Sequence, residues 1–368
     1  MVTLSEMSGS TSARPIEPSN ARRLAMRHPT VGDVARLARV SAITVSRVVN
    51  GRVHVRPETR SRVLGAIEEL HYRPNELARN LKTRRSHAVG LVIDVSNPFY
   101  AACATGAESV LRERGYALIL ASSRSSAAEE EATVELLGSY QADGLLIVPT
   151  VGSYEFLARL PSGQPIVALD RPFARFTTDV VLVKNYEGAR AAVTHLLEHG
   201  RETIAFVGVD EEAYTTRLRL EGYTDAIRAA GAPGLIRLGA MDVAAAASIA
   251  RELIHNADRP SAVFAVNNLI TVGVLEAITE AGLRVPDDIA VVGFDDVVLA
   301  DVLHPRLTVV RQPAVEMGRR AAELLLLRLS GREPVQPETI LLETELLIRE
   351  SCGCTSGQRS VDTMGGAT

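Results

Sequence analysis

The stretch Thr30–Asn50, TVGDVARLARVSAITVSRVVN, decides how the front of this chain folds. Its apolar residues fall at helical spacing in two bursts: Val31, Val34, Ala35 and Ala38, then Ile43, Val45, Val48 and Val49. Between them Arg39-Val40-Ser41 breaks the pattern, and the Ser41 hydroxyl is placed to cap the second helix by accepting a backbone N–H. Two helices of about two turns each are too short to stand alone. Pro57 to Leu70 supplies a third: Pro57 suits a first helical turn, and Val63, Ile67 and Leu70 recur at helical intervals. Three small helices with a helix-turn-helix in front fit a DNA-binding head or, more plainly, an ordinary three-helix cap on a larger domain.

Charge separates the two readings. From His28 to His87 there are twelve Lys and Arg against five Asp and Glu, net +7, and the first 27 residues carry +2. The whole chain is −4, which leaves −13 for everything after His87. A basic block on an acidic body is the electrostatic footprint of a nucleic-acid reader, and it argues against DNA binding by the body itself.

At 368 residues and 46% hydrophobic content, two folded units plus tails are expected. No apolar run reaches the ~20 residues needed to span a bilayer, so no membrane partner is expected. Residues 1–28 are rich in Ser, Pro, Arg and Glu without periodicity, and read as a disordered extension without the apolar core of a signal peptide. The three cysteines, Cys103, Cys352 and Cys354, are odd in number and lack Cys/His metal spacing, which suggests a reducing cytoplasm. Cys352-x-Cys354 has no partner ligands nearby in sequence, so no metal or other cofactor is expected.

From Ala88 the pattern changes. Short apolar runs (AVGLVI, YALILA, DGLLIVP, PIVALD) alternate with helical stretches at Phe99–Arg114 and Ala127–Tyr140. A second set follows Val183: TIAFVG, SAVFAV and IAVVGF, separated by helices at Tyr186–His199, Leu218–Ala230 and Asn267–Ala281. This is the signature of βαβ units with buried parallel sheets. Two similar α/β halves describe a periplasmic-binding-protein-like body whose cleft closes on small polar ligands. There is no GxGxxG after a strand, no P-loop, no GxSxG and no HExxH, and the eight histidines have no acid or nucleophile partners at recognisable spacing. Binding is expected, not catalysis. A sugar-transport receptor would share the body but would need a signal peptide and no basic head.

The motifs also carry a family resemblance. DVARLARVSAITVSRVVNG, then VRPETRSRVLGAIEELHYRPNELARNLKT, resembles the head and hinge of LacI-type transcriptional repressors. VGLVIDVSNPFY, DGLLIVP, RLRLEGY, GLRVPDDIAVVGFDD, LTVVRQP and IRESCG resemble that family's regulatory domain in order, so the likeness runs from about Thr30 to Gly353. It implies an all-α helix-turn-helix head at 29–73 and a hinge helix and linker at 74–86. It also implies an α/β effector-binding and dimerisation body at 87–353, followed by a disordered tail at 354–368. The first subdomain would hold about 87–183 and 313–341, and the second about 184–312 and 342–353. The implied function is a homodimeric repressor in the cytoplasm, at the nucleoid, binding a near-palindromic operator and released by a small-molecule effector, a sugar or sugar derivative. A purine-like corepressor that tightens DNA binding is the variant reading. With no leucine heptads in the last fifteen residues, a tetramerising coiled coil is not expected.

In the head, the resemblance puts the second helix in the major groove with Ala42 and Ile43 at the base-reading positions. Both are apolar here and can meet only thymine methyls, so Thr44, Ser46, Arg47 and Asn50 carry the polar contacts, Arg47 being placed for a bidentate guanine contact. Thr30, Ser41, His54, Thr59, Tyr72 and Asn75 complete the expected DNA face. Relatives usually have Gly where this chain has Arg39, which implies about 1 kcal/mol of strain if φ must be positive. Glu76–Thr83 would order as a hinge only on DNA, with Leu81 as the minor-groove wedge and Lys82 on a phosphate.

In the body, ligand residues are sought at strand ends. Phe99 and Tyr100 follow the first strand, Asp170 ends PIVALD, Arg219 matches the family's ligand-clamping arginine, and Asn267 and Asp295 end later strands. Met241 stands where relatives stack an aromatic ring. An Arg, an Asp and an Asn in one cleft suit polyol hydrogen bonding. Lys184, one of two lysines in the chain, is expected to face an anionic group, in the ligand or at the hinge between the halves.

Overall fold

The computed structural model describes residues 29–49, 55–73, 85–152, 154–160, 163–297, 300–331 and 336–354. It divides into two units, one up to Arg84 and one from Arg85 onward. The expected residues Asn50, His54, Asn75, Leu81 and Lys82, and the hinge segment that holds the last three, lie outside the described residues.

The first unit contains α1 (Val31–Leu37), α2 (Ala42–Val49) and α3 (Pro57–Glu69). Thr30 and Asp33 open α1 with a capping box: the Thr30 hydroxyl accepts the Asp33 N–H at 3.3 Å while the Asp33 carboxylate accepts the Thr30 N–H at 2.8 Å. Ser41 caps α2, accepting the Thr44 N–H at 3.2 Å. Between the two helices Arg39 takes φ +53°, the left-handed conformation that lets the chain turn in three residues. Val34, Ala35, Ala38, Val45, Val48, Val63, Ala66 and Tyr72 form a single small core, so no helix buries its apolar face without the others.

The second unit holds two six-stranded sheets. The first is built from β1 (Ala88–Ile93), β2 (Ala117–Ser122), β3 (Gly144–Ile147), β4 (Ile166–Leu169), β5 (Asp179–Val183) and β11 (Thr339–Leu342), in the order β11-β5-β4-β3-β1-β2. The second is built from β6 (Ile204–Val207), β7 (Gly234–Arg237), β8 (Ala262–Ala265), β9 (Ala290–Phe294), β10 (Thr308–Arg311) and β12 (Glu345–Leu347), in the order β12-β10-β9-β8-β6-β7. Pairing is parallel throughout except β10 against β12. Central strands such as GLLI, IVAL, IAFV and AVFA are buried along their whole length, because helices cover both faces.

The first lobe carries α4 (Pro98–Glu113), α5 (Ala127–Ser139) and, returning late in the chain, α10 (Ala314–Leu329). The second carries α6 (Asn185–Glu198), α7 (Tyr214–Ala230), α8 (Val243–His255) and α9 (Asn268–Glu280). The chain crosses between lobes after β5, after β10 and between β11 and β12. Helices α4 and α10 touch backbone to backbone: a Cβ on Gly106 would lie 1.9 Å from the Val315 carbonyl oxygen, and one on Gly318 would lie 1.8 Å from that of Cys103.

The two sheets share one strand order, so β4 and β9 hold equivalent places. Each ends in an aspartate in the left-handed region, Asp170 at φ +69° and Asp295 at φ +72°. Each aspartate donates its N–H to the neighbouring strand, to Val181 at 2.9 Å and Val310 at 2.8 Å. Left-handed backbone at a non-glycine residue costs about 1 kcal/mol and collects at functional sites. The repeat therefore points at the strand ends.

Candidate functional sites

On the head, the register of α2 sends Val45 and Val48 into the core and leaves Ala42, Ile43, Ser46 and Arg47 exposed. Ile43 is 67% exposed, an apolar side chain standing out from the start of a helix. Ser41 and Thr44 are partly occupied with each other, their hydroxyls 2.9 Å apart. Thr59 is half-buried at the start of α3, and Thr30 is tied into its capping box. Tyr72 sits apart from the other expected DNA residues. It is 8% exposed, and its ring is part of the head core because the chain folds back over Val63 and Ala66 after α3.

In the body, the strand ends of the two lobes bring most of the expected cleft residues together. Asp170 accepts the Tyr100 hydroxyl at 3.1 Å and Arg171 Nε at 3.3 Å, and Arg171 donates a further bond to the Tyr100 oxygen at 2.6 Å. Tyr100 is packed edge-on against Phe99, ring centres 5.1 Å apart. In the second lobe Arg219 donates Nε to Asn185 Oδ1 at 2.8 Å and Nη1 to the Val266 carbonyl, with its guanidinium 3.6 Å over the Phe294 ring. Asp295 accepts the Gln312 side-chain amide.

These two networks feel each other's charge. Burial pushes the Asp295 carboxyl up, opposed by Arg219 and by the Gln312 hydrogen bond, with Asp170 adding repulsion. Burial draws the Arg219 guanidinium down while Asp295 and Asp170 pull it back. The Tyr100 phenol is raised, chiefly by burial. For Arg171 burial works against the charge, but Tyr100 and Asp170 outweigh it and hold the guanidinium above its ordinary value. The strand ends thus present buried charged and polar groups from both lobes.

The remaining expected residues are placed differently. Asn267 spends its Oδ1 capping α9, on the Ile270 N–H at 2.8 Å. Its neighbour Asn268 makes the contact between lobes, donating Nδ2 to Asn97 Oδ1 at 2.8 Å. Met241, on the loop between β7 and α8, is 68% exposed and outside the network. Lys184 pairs with Glu343, so its anionic partner lies where two crossovers run side by side. Beside it a groove of about 720 Å³ runs along the crossovers and reaches Phe99, Asp295 and Gln312.

Sequence reading passed over Asn185, Asn268 and Gln312 as contributors. Asn185 and Gln312 sit at crossover points, which no local pattern marks. Asn268 was hidden by its neighbour, since either asparagine of the pair suits a strand end.

A DNA-reading head joined to a two-lobed, polar-cleft sensor defines a ligand-responsive transcriptional regulator. Residues 30–75 match the description "Bacterial regulatory proteins, lacI family", and residues 193–352 match "Periplasmic binding protein-like domain". The HTH-type transcriptional regulator CelR of Thermobifida fusca is 38% identical over 337 residues, covering 88% of this chain and 98% of that one. The ribose operon repressor of Escherichia coli (strain K12) is 36% identical over 331 residues, with 88% and 99% covered. Among solved structures, the lac repressor dimer bound to operator and an anti-inducer superposes with a TM-score of 0.79 at 27% identity, covering 89% of this chain and 99% of that chain. A CelR–cellobiose complex superposes with a TM-score of 0.66 at 35% identity, with 88% and 99% covered. The chain belongs to the lacI family of bacterial regulatory proteins.

Proposed function

We propose that this regulator represses transcription as a cytoplasmic homodimer on a near-palindromic operator and is released when a sugar fills the cleft between its lobes. The observation that carries the ligand class is the pair of facing networks, Tyr100–Asp170–Arg171 and Asn185–Arg219–Asp295–Gln312. Vicinal hydroxyls donate and accept at once, which matches carboxylates alternating with guanidinium and amide groups. The relatives named for ribose and the neighbour bound to cellobiose support the same class. Phe99 and Tyr100 offer an apolar wall for a sugar ring. The cleft binds and does not catalyse: the compared relatives are regulators, and its ionised groups are held by hydrogen bonds, Asp170 to Arg171 and Tyr100, Arg219 to Asn185 and the Val266 carbonyl, Asp295 to Gln312.

On the head, Ile43 and Ala42 meet thymine methyls while Arg47 and Ser46 reach polar base edges or phosphates, with Thr30, Ser41, Thr44 and Thr59 flanking them. Sugar in the cleft alters the relation of the lobes and, through them, the hinges of the dimer.

Selection of bound duplexes from a random DNA pool, followed by a fluorescence-anisotropy titration of the selected duplex with ribose, cellobiose and related sugars, tests this. The expected result is a sequence-specific duplex released by at least one sugar. A duplex that binds more tightly with ligand would assign the corepressor sense instead. Indifference to every sugar, or turnover of one, would overturn the ligand assignment.

A further inference from the structure

The second lobe carries a cluster that neither the cleft nor the head uses. His195, in the last turn of α6, and His199, which closes that helix, project one turn apart from the same face. Against them lies the end of the described chain, Cys352-Gly353-Cys354, folded onto the lobe's core after β12. The ligand-capable atoms of His195, His199 and Cys354 all lie within 4.8 Å of one another. His195 Nε2 and Cys354 Sγ are 3.4 Å apart, close to the edge of a tetrahedral nitrogen–sulfur site.

We propose that His195, His199 and Cys354 form a binding site for a zinc-class divalent cation that pins the C-terminal segment to α6. Nitrogen and thiolate donors favour such a cation over magnesium or calcium, which take oxygen. The orientation of His199 is already that of a ligand. Its Nδ1 meets the His195 carbonyl at 2.8 Å, and since a carbonyl only accepts, that nitrogen carries the proton and leaves Nε2 with its lone pair free. His199 is the exposed member, which gives the ion a way in, while His195 and Cys354 are buried.

Cys352 lies alongside as a neighbour, its sulfur accepting the Thr308 hydroxyl at 3.3 Å. Arg201 lies beside the same segment, its guanidinium donating to the Cys352 carbonyl at 3.5 Å. The site is separate from the cleft: Asn185 opens α6 at the cleft, and the two histidines lie about 15–20 Å further along the same helix. An isolated CxC is a weak signal in sequence. Its partners, His199 and His195, come from about 155–160 residues upstream and meet it only once the second lobe is folded.

The test uses the untagged, full-length, reduced protein after chelator treatment, with Co²⁺ as the spectroscopic probe and Zn²⁺ as competitor. One Co²⁺ per chain is expected, with a sulfur-to-cobalt charge-transfer band and strong visible d–d bands that Zn²⁺ displaces. Both bands should be lost in His199→Ala, whose side chain is at the surface, and in Cys354→Ser. Zn²⁺ should raise the melting temperature of the wild type and leave that of His199→Ala unchanged. Absence of the sulfur band in the wild type, or its full retention in either variant, would overturn the assignment.

Discussion

Arg39 shows how a single dihedral sets a measurable quantity. Its φ of +53° is one a glycine adopts freely and an arginine does not. Arg39→Gly should stabilise the head by about 1 kcal/mol in urea unfolding, while specific DNA affinity falls if the arginine meets a phosphate. Glu130 does so through burial instead. It is fully buried on α5, accepts the Thr150 N–H at 2.7 Å, and burial raises its carboxyl to about 7. A folded-state value above the unfolded value near 4.5 means that its contribution to stability is complete below 4.5 and lost as pH rises through 7. Glu130→Gln, which keeps an acceptor for Thr150, should therefore gain on the wild type across that interval. The gain should be at most ~3 kcal/mol above pH 7, read from melting temperature against pH. Equal pH profiles for the two proteins would remove the claim.

At the scale of elements, the closest packing in the first lobe is the α4–α10 contact through Gly106 and Gly318. Gly106→Ala must push two backbones apart. It should cost about 3 kcal/mol in chemical denaturation, a loss out of proportion to one methyl group. The crossovers behave differently. Glu343 is exposed and Lys184 half-buried, so their pair adds little to stability, and Lys184→Met should leave thermal stability unchanged yet shift by a few-fold the sugar concentration that releases DNA.

Elements also differ in how openly the sequence declares them. α5 follows from Ser126, which caps it, and the expected start at Ala127 coincides with the observed one. α7 begins a turn earlier than the Leu218 its periodicity suggests, because its first turn, Tyr214 to Arg217, is polar apart from Tyr214 and adds little to an apolar pattern. α8 is not among the expected helices: Leu253 and Ile254 mark its buried face only in the last turns, and the first turns pack through Ala246, Ala247 and Ala250, which suit core and surface alike. β7, β11 and β12 are short edge or end strands only half buried, so neither alternation nor a continuous apolar run announces them.

For the molecule as a whole, the basic head and the acidic body should respond to different variables. DNA affinity should fall on the order of 10³-fold between 50 and 200 mM salt, while sugar affinity changes by less than about twofold because its groups are buried. Arg219→Ala removes the cation from the centre of the second-lobe network. DNA binding should persist, but sugar should no longer release it, with affinity reduced at least ~100-fold by calorimetry. Linkage then demands that in the wild type DNA weaken sugar binding by the same factor that sugar weakens DNA binding.

The sequence alone was enough for the helix-turn-helix, the alternation of strand and helix, and the separation of charge between head and body. Those features are written in spacing and composition over a few neighbouring residues, and local spacing is what helices and strands respond to. Tertiary structure alone decided that Asn268, not Asn267, bridges the lobes. It also decided that Tyr72 belongs to the head core, that Lys184 faces a crossover glutamate, and that two histidines stand beside a distant pair of cysteines. Each of these depends on which strand ends and crossovers come to lie together. That is fixed by the burial of whole sheets, which no window of sequence contains.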